Sequence, residues 1–478
     1  MRNANGSGHE QRRQTDGPGK DEVNRMNDFR KTAQEMLEFI RISPTCFHAV
    51  ANIGRMLEAA GFQQLQEKEE WKLEKGGRYY TERNDSSVIA FAIPEKEVGI
   101  RGFHMAAAHS DSPCFKIKEK PELTVEEHYL RLNTEKYGGM ILSTWLDRPL
   151  SIAGRLAVKN GNGIEGRLVN IDRDLCVIPN VAIHMNREMN KGVEYNPQVD
   201  LLPLLADVSF DEYDTHTTYD AQTASENAEE QTETVEKPTL TALAAEAAGV
   251  DAETILGEDL FLYTRQEGKM IGAKGEFVLS PRLDDLQSAF ALTKAFTEST
   301  PAEYINLCAV FDNEEVGSGT RQGADSTFLE DTLQRITEGL QEGHSTYLRW
   351  VADSFLISAD NAHAVHPNHP EKADPANRPY LNGGIVIKYH GSQKYTTDGI
   401  SAAKMKDYCK RAKVPYQTYA NRSDIAGGST LGNISTAHVS VSSVDIGLPQ
   451  LAMHSAVETA GMKDTEYAVR ALKEFWGE

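Results

Sequence analysis

Cysteine is scarce in this sequence, and the few cysteines stand apart from one another. The 478 residues include five cysteines. This odd number, with no CxxC spacing, favours neither a disulfide framework nor a thiolate zinc site. A reducing compartment fits the pattern, and we expect a cytoplasmic protein.

Long hydrophobic runs are also lacking. No stretch approaches the roughly 18 to 20 continuous apolar residues that are needed to cross a bilayer. Residues 1–25 contain neither the apolar core of a secretory signal nor an amphipathic presequence. We therefore expect residues 1–25 to form a disordered tail, and we expect no membrane partner.

Positive charge is in deficit, with 50 Lys and Arg against 71 Asp and Glu and a formal net charge of -21. Such a surface repels phosphate backbones, so nucleic acid is not an expected partner. Hydrophobic residues make up an ordinary 40% of the chain. Because single cores stop growing at about 250 to 300 residues, the length predicts two domains.

Strands and helices alternate in the last half of the chain, which predicts an α/β fold. We expect a three-layer sandwich with a mixed, mostly parallel sheet, built from residues 26–114 and 251–478 and including a strand at 438–446. Residues 115–250 predict an inserted β-rich domain, because alternating stretches flank the turn residues 160–163. Within it, the acidic segment 207–237 has too little apolar surface to pack and predicts a mobile loop.

Acidic residues and histidines stand at or shortly after the ends of predicted strands, where open α/β sheets bind their ligands, and one aspartate stands just before a predicted helix, where a carboxylate is also favoured. Taken singly, each could be structural, as a strand-end histidine, a helix cap or a solvated turn. Together they supply the mixed nitrogen and oxygen donors that Zn²⁺, Co²⁺ or Mn²⁺ accept, and five ligands suffice for two ions if one carboxylate bridges. The five candidate metal ligands are His109, Asp284, Glu315, Asp360 and His454.

Two further carboxylates have predicted roles beside the metals. Glu314 precedes Glu315, and neighbouring side chains on extended backbone point in different directions, so one can bind metal while the other moves protons. A metal-activated water and a free carboxylate base are the requirements of peptide hydrolysis. Asp111 lies two residues after His109 and could hold its imidazole in the ligating tautomer.

Five ordered motifs together resemble the aspartyl aminopeptidase family of dinuclear zinc metallopeptidases, over nearly all of the chain after residue 25. They are HSDSP at 109–113, SPRLDD at 280–285, FDNEEVGSGT at 311–320, SADNAHAVHPN at 358–368 and MHSAVETAG at 453–461. The resemblance implies that one Zn²⁺ is bound by His109, Asp284 and Asp360. It implies that the other is bound by Asp284, Glu315 and His454, that Glu314 is the base, and that the peptide bond after Asp284 is cis.

The resemblance also implies a substrate pocket at His363, Lys388 and Tyr395, and a preference for peptides with N-terminal Asp or Glu. In an acidic protein such a preference requires a local cation, and the Lys388 ammonium is the candidate. His184, in the insertion, is expected to reach the active site of a neighbouring subunit. The insertion would then serve oligomerisation, in a dodecamer built from dimers.

Two alternatives remain at this point. One is a two-metal aminopeptidase or deacylase with neutral specificity, which would share the fold and the metals. The other is a self-assembling shell protein with a vestigial metal site.

Overall fold

A nine-stranded sheet forms the centre of the molecule. The computed structural model describes residues 20–95, 99–208, 239–425, 427–428 and 430–478. Within these residues the strands of the central sheet are, in spatial order, Gln63–Gln64, Arg78–Arg83, Ser87–Ala92, Ile305–Phe311, Phe103–His109, Phe355–Ala359, Ser442–Gly447, Ile385–Tyr389 and Tyr416–Ala420.

The middle of this sheet is parallel. Ile305–Phe311, Phe103–His109, Phe355–Ala359 and Ser442–Gly447 are consecutive parallel neighbours, whereas Ser87–Ala92 and Ile385–Tyr389 pair antiparallel with the outer members of this group. The four parallel strands therefore end at one edge of the sheet, which is where polar side chains from different strands can meet.

Helices cover both faces of the sheet. Along the Phe103–His109 strand, Ala106 and Ala108 belong to the core on one face and Met105 and Ala107 to the core on the other, as the two-residue repeat of a strand requires. The predicted three-layer α/β fold is confirmed. The described α-helices are Lys20–Arg41, Cys46–Ala59, Pro197–Asp200, Leu240–Ala248, Leu283–Thr297, Phe328–Gly339, His344–Ala352, Gly399–Arg411, Leu431–His438 and Asp464–Trp476.

A second, wholly antiparallel sheet contains the predicted β-rich insertion and has a core of its own. The predicted boundary of the insertion lies at residue 250, and this sheet also includes one later strand. The strand Ile255–Thr264 pairs with Leu150–Asn160, and its apolar run gives no sign in the sequence of which sheet it joins. The described strands of this sheet are, in spatial order, Gly163–Asn170, Leu150–Asn160, Ile255–Thr264, Cys114–Val125, Tyr129–Tyr137 and Leu204–Asp207.

A third sheet of short strands brings two distant loops together. Ser280, four residues before Asp284, pairs with Glu458, four residues after His454. Asp284 and His454 are therefore placed near one another by the same strand pair. Among described residues its strands are Lys269–Ile271, Phe277–Ser280, Glu458–Gly461, Pro449–Leu451 and Ala362–His363.

Several predictions about local structure differ from the fold. The strand predicted for 438–446 is shorter, Ser442–Gly447, because the helix Leu431–His438 occupies the residues before it. The first helix begins at Lys20, inside the predicted tail of residues 1–25. Residues 1–19 and 209–238 lie outside the described part of the chain, and with them nearly all of the predicted acidic loop. No described helix is both long and apolar enough to cross a membrane.

Candidate metal centre

The five candidate metal ligands lie together at the carboxyl edge of the central sheet. His109 is the last residue of its strand, Asp360 directly follows Phe355–Ala359, and Glu315 lies in the turn after Ile305–Phe311. Asp284 lies at a break near the start of the helix Leu283–Thr297. His454, with φ 65°, lies in the loop before Glu458–Gly461.

Asp284 faces both histidines. Its Oδ1 lies 3.8 Å from His109 Nε2, and its Oδ2 lies 3.3 Å from His454 Nε2. The same His454 nitrogen is 3.4 Å from Glu315 Oε2. Ligand atoms within 4.8 Å of one another form one group of His109, Asp284, Asp285 and Asp360, and another of Asp284, Glu315 and His454. Asp284 thus joins two neighbouring groups, each with the donors of a metal site.

The electrostatics of this cluster favour a bound cation. The buried atoms Asp284 Oδ1, Asp285 Oδ1 and Glu315 Oε1 accept no hydrogen bond from the described residues. Burial raises the pKa of Glu315 well above its usual range, and the neighbouring Asp284 carboxylate raises it further. Burial alone would lower the pKa of His454, but the Asp284 carboxylate raises it to about 9. Unpaired buried carboxylates are costly, and a divalent metal ion supplies the missing positive charge.

Both histidines are oriented for ligation through Nε2. His109 Nδ1 is 3.1 Å from the Asp111 backbone oxygen and 3.3 Å from Asp111 Oδ1. His454 Nδ1 is 3.0 Å from the Gly139 backbone oxygen. When Nδ1–H donates to an oxygen, the lone pair of Nε2 is free for a metal, and the ring is held in place. The donor set therefore fits zinc.

Asp111 also holds the turn that carries the two glutamates. Its Oδ1 accepts the backbone N–H of Glu314, and its Oδ2 accepts that of Glu315, each at 3.2 Å. The predicted contact between Asp111 and His109 is therefore present, and the same carboxylate orders the Glu314–Glu315 turn as well.

Glu314 is suited to accept a proton. Burial raises its pKa to about 7, and the Asp360 and Asp111 carboxylates contribute in the same direction while His109 opposes them. A carboxylate with a pKa near neutrality can take up a proton and release it again. Ligand atoms of Glu314, Glu315 and His109 lie within 4.8 Å of one another, so Glu314 lies directly beside two of the candidate metal ligands.

Sequence reasoning missed three residues that contact the predicted ones. Asp285 follows Asp284 through a cis peptide bond, as the resemblance implied, and its Oδ2 accepts the His109 backbone N–H at 3.3 Å. Tyr137, from the β-rich sheet, donates its hydroxyl to Asp111 Oδ2 at 2.7 Å. Glu458 accepts two backbone N–H groups. Asp285 lies within the motif at 280–285 and Glu458 within the motif at 453–461. Tyr137 lies in none of the five motifs, and nothing in the sequence indicated that it contacts the site.

The predicted substrate residues fall into two locations. Lys388 is 2% exposed, and its Nζ lies 3.4 Å from Asp360 Oδ2 and 5.1 Å from the centre of the Tyr395 ring. His363 has an exposed surface, but burial lowers its pKa, and the Lys388 charge lowers it further. His184 lies in an exposed turn of the insertion, between Ile183 and Met185. It makes none of the hydrogen bonds of the cluster within one chain.

The Lys388 ammonium already has partners in the protein. It donates to the Asp360 backbone oxygen at 2.8 Å and to the Asn361 backbone oxygen at 3.4 Å, besides facing the Asp360 carboxylate. Burial would lower the pKa of Lys388, but that carboxylate raises it well above its usual range. Lys388 is therefore a buried cation that contacts a candidate metal ligand.

Comparison with known proteins identifies a family. The family model of the aminopeptidase I zinc metalloproteases (M18) matches residues 39–476. A probable M18 family aminopeptidase 2 of Clostridium novyi (strain NT) is 46% identical over 448 residues, which cover 93% of this chain and 98% of the relative.

Solved structures share the fold. One chain in the structure of the Ape4 and Nbr1 complex superimposes with a TM-score of 0.87 at 36% identity, covering 95% of this chain and 86% of that one. The S. cerevisiae mApe1 dodecamer gives a TM-score of 0.77 at 26% identity, covering 94% and 97%. With a family match over residues 39–476 and a relative that is 46% identical over 93% of its length, the chain belongs to the M18 family of zinc aminopeptidases.

Proposed function

We propose that this zinc aminopeptidase uses two metal ions and removes N-terminal residues, preferentially Asp or Glu, from peptides. The observation that carries the two-metal part is the position of Asp284, because one of its carboxylate oxygens lies 3.8 Å from His109 Nε2 and the other lies 3.3 Å from His454 Nε2. His109, Asp284 and Asp360 would hold one Zn²⁺, and Asp284, Glu315 and His454 the other. Co²⁺ or Mn²⁺ would serve as substitutes.

The chain's own residues then divide the work of hydrolysis. Bound zinc lowers the pKa of water and polarises a carbonyl oxygen. Glu314 takes the proton of the attacking water on its carboxylate and passes it to the amine of the leaving peptide. Asp111 keeps Glu314 in place through the backbone of the turn, and it holds His109 through Nδ1.

The preference for acidic N-terminal residues would come from Lys388, with His363 and Tyr395 around the same pocket. In a protein of net charge -21, an acidic substrate side chain requires a local positive charge, and Lys388 would supply it. Lys388 also contacts Asp360. A variant at this position therefore has two separable effects: a loss of specificity changes the ratio of rates between substrates, whereas damage to the metal centre lowers all rates and the zinc content.

Lys388→Met keeps the length of the side chain and removes its charge. We expect the ratio of kcat/KM for N-terminal Asp or Glu over Leu or Ala substrates to exceed 1 in the parent protein. The variant should lose roughly 10- to 100-fold of that ratio, the range expected for a hydrogen bond to a charged group. The measurement is a four-substrate panel on both proteins, with zinc content determined in parallel.

The panel also separates the alternatives. Equal rates of the parent protein on all four substrates would overturn the acidic preference and favour neutral specificity. A fall that is equal for every substrate, with reduced zinc content, would assign Lys388 to support of Asp360 instead of specificity.

We further propose that the β-rich insertion mediates self-association into a dodecamer built from dimers, in the cytoplasm. One solved relative is described as a dodecamer. Around His184, the side chains of Val181, Ile183 and Met185 are 50%, 46% and 82% exposed, which suits coverage by a second subunit. In such an assembly His184 would complete the neighbouring subunit's active site.

A further inference from the structure

Glu458 contacts two candidate metal ligands through their backbones. It is 1% exposed. Its Oε2 accepts the backbone N–H of Asp284 at 3.0 Å, and its Oε1 accepts the backbone N–H of His454 at 2.7 Å. These two residues are the candidate bridge and the candidate terminal ligand of the same metal ion. A single buried carboxylate therefore ties together, through their backbones, two ligands that are 170 positions apart in the sequence.

Neither of these backbone N–H groups is in regular secondary structure. Asp284 has non-helical dihedral angles within its helix, and His454 has a positive φ of 65°. Buried backbone donors require an acceptor, and Glu458 is the acceptor for both. The positions of these two backbone segments also set the positions of their side chains, and Asp284 Oδ2 lies 3.3 Å from His454 Nε2.

We propose that Glu458 is a positioning residue that sets the separation of Asp284 and His454, and thereby the affinity of the metal ion that these two residues share with Glu315. This inference rests on the two-metal site proposed above. Glu458 itself is not assigned as a metal ligand, because both of its oxygens accept backbone amides and it belongs to none of the three groups of ligand atoms.

Replacing one oxygen of the Glu458 side chain by nitrogen tests this positioning role. Glu458→Gln has the same shape, but its terminal nitrogen is a donor and cannot accept an N–H. One of the two backbone N–H groups then faces a second donor, and the loop that carries it must move. Residues that orient metal ligands typically contribute roughly 10- to 100-fold to metal affinity.

Asp464, the first residue of the C-terminal helix Asp464–Trp476 and six positions after Glu458, offers a matched control. It is fully buried, and it also accepts two backbone N–H groups, from Asn382 and Gly384, at 2.7 and 2.9 Å. Neither of these is a candidate ligand. Asp464→Asn therefore makes the same chemical change in a buried carboxylate clamp, at backbone that carries no metal ligand.

The experiment is a competition titration of metal-free parent, Glu458→Gln and Asp464→Asn proteins with Zn²⁺ and a chromophoric chelator, with folding followed by circular dichroism. We expect two ions per chain in all three, with one of them bound roughly 10- to 100-fold more weakly in Glu458→Gln only. Unchanged affinity in Glu458→Gln, or an equal loss in Asp464→Asn, would overturn the role. Fewer than two ions in the parent would instead contradict the two-metal proposal.

A milder variant guards against loss of folding. If Glu458→Gln does not fold, Glu458→Asp is titrated in its place, because its shorter carboxylate can reach one of the two amides at most. Weaker binding of one ion by this variant supports the role. If neither variant folds while Asp464→Asn does, the residue serves folding and the inference is wrong.

Discussion

Glu314→Gln should lower kcat by about 10²- to 10⁴-fold, the contribution expected of a general base, and leave zinc binding unchanged. The amide has the size of the carboxylate but cannot take a proton from water. Since the Glu314 backbone N–H still donates to Asp111, the turn and the neighbouring ligand Glu315 stay in place. The measurement is steady-state hydrolysis of an N-terminal Asp substrate, with zinc determined on the same samples.

Glu338→Gln is the control for this substitution, because it makes the same change at an exposed helical position. It should keep parental kcat and zinc. Full activity of Glu314→Gln would exclude Glu314 as the base. Loss of zinc together with activity would make Glu314 a ligand, and the division of labour between the two adjacent glutamates would be wrong.

Asp284→Ala should have the largest effect on metal binding, because this residue faces both candidate ions. We expect both ions to bind more weakly and turnover to fall by more than the roughly 10- to 100-fold typical of a residue that only orients a ligand. Replacement of a ligand confined to one side, as in Asp360→Ala or His454→Ala, should weaken mainly one of the two ions. The measurement is Zn²⁺ stoichiometry and affinity in the three variants.

A pattern in which Asp284→Ala still binds one ion with parental affinity would contradict the bridging role. Parental turnover in this variant would contradict the whole assignment of the centre. Circular dichroism of the metal-free proteins distinguishes a lost ligand from a lost fold, since Asp284 is 3% exposed and borders the core.

The location of the centre could be predicted from sequence because it depends on topology. His109, Glu315 and Asp360 each follow an apolar run, and parallel strands bring their carboxyl ends to one edge whatever the details of packing. The premise that separated Glu314 from Glu315 was wrong, because both residues lie in the short 3-10 helix Glu314–Val316 and not on extended backbone, and their division of roles stays a prediction. The wide spacing of Asp284 and His454 in the chain did not prevent their prediction, because both lie in motifs that the family resemblance identified.

Tertiary contacts between distant segments could not be predicted from the sequence. Tyr137 reaches Asp111 from the inserted sheet, and a tyrosine in an alternating strand gives no sign of its partner. Glu458 acts on backbone groups, which leave no trace in residue type. For Lys388 the sequence suggested a free ammonium for substrate, whereas the structure shows that it already contacts Asp360. These are tertiary contacts between segments that local patterns treat as independent.

The strand Ile255–Thr264 illustrates the same limit for the fold. Its sequence does not indicate which sheet it joins, and only the pairing with Leu150–Asn160 places it in the antiparallel sheet. The helix Leu431–His438 was missed because its mix of Gly, Asn, Ser and Thr lowers helix propensity, while packing of Leu431 into the core favours the helix.

Counting the metal ions in the active parent protein tests the central claim most directly. Metal-free protein would be titrated with Zn²⁺ while bound zinc per chain and the initial rate of peptide hydrolysis are measured on the same samples. The shared position of Asp284 predicts that binding ends at two ions per chain and that full activity is reached only there. Saturation at one ion per chain with full activity would contradict the two-metal account.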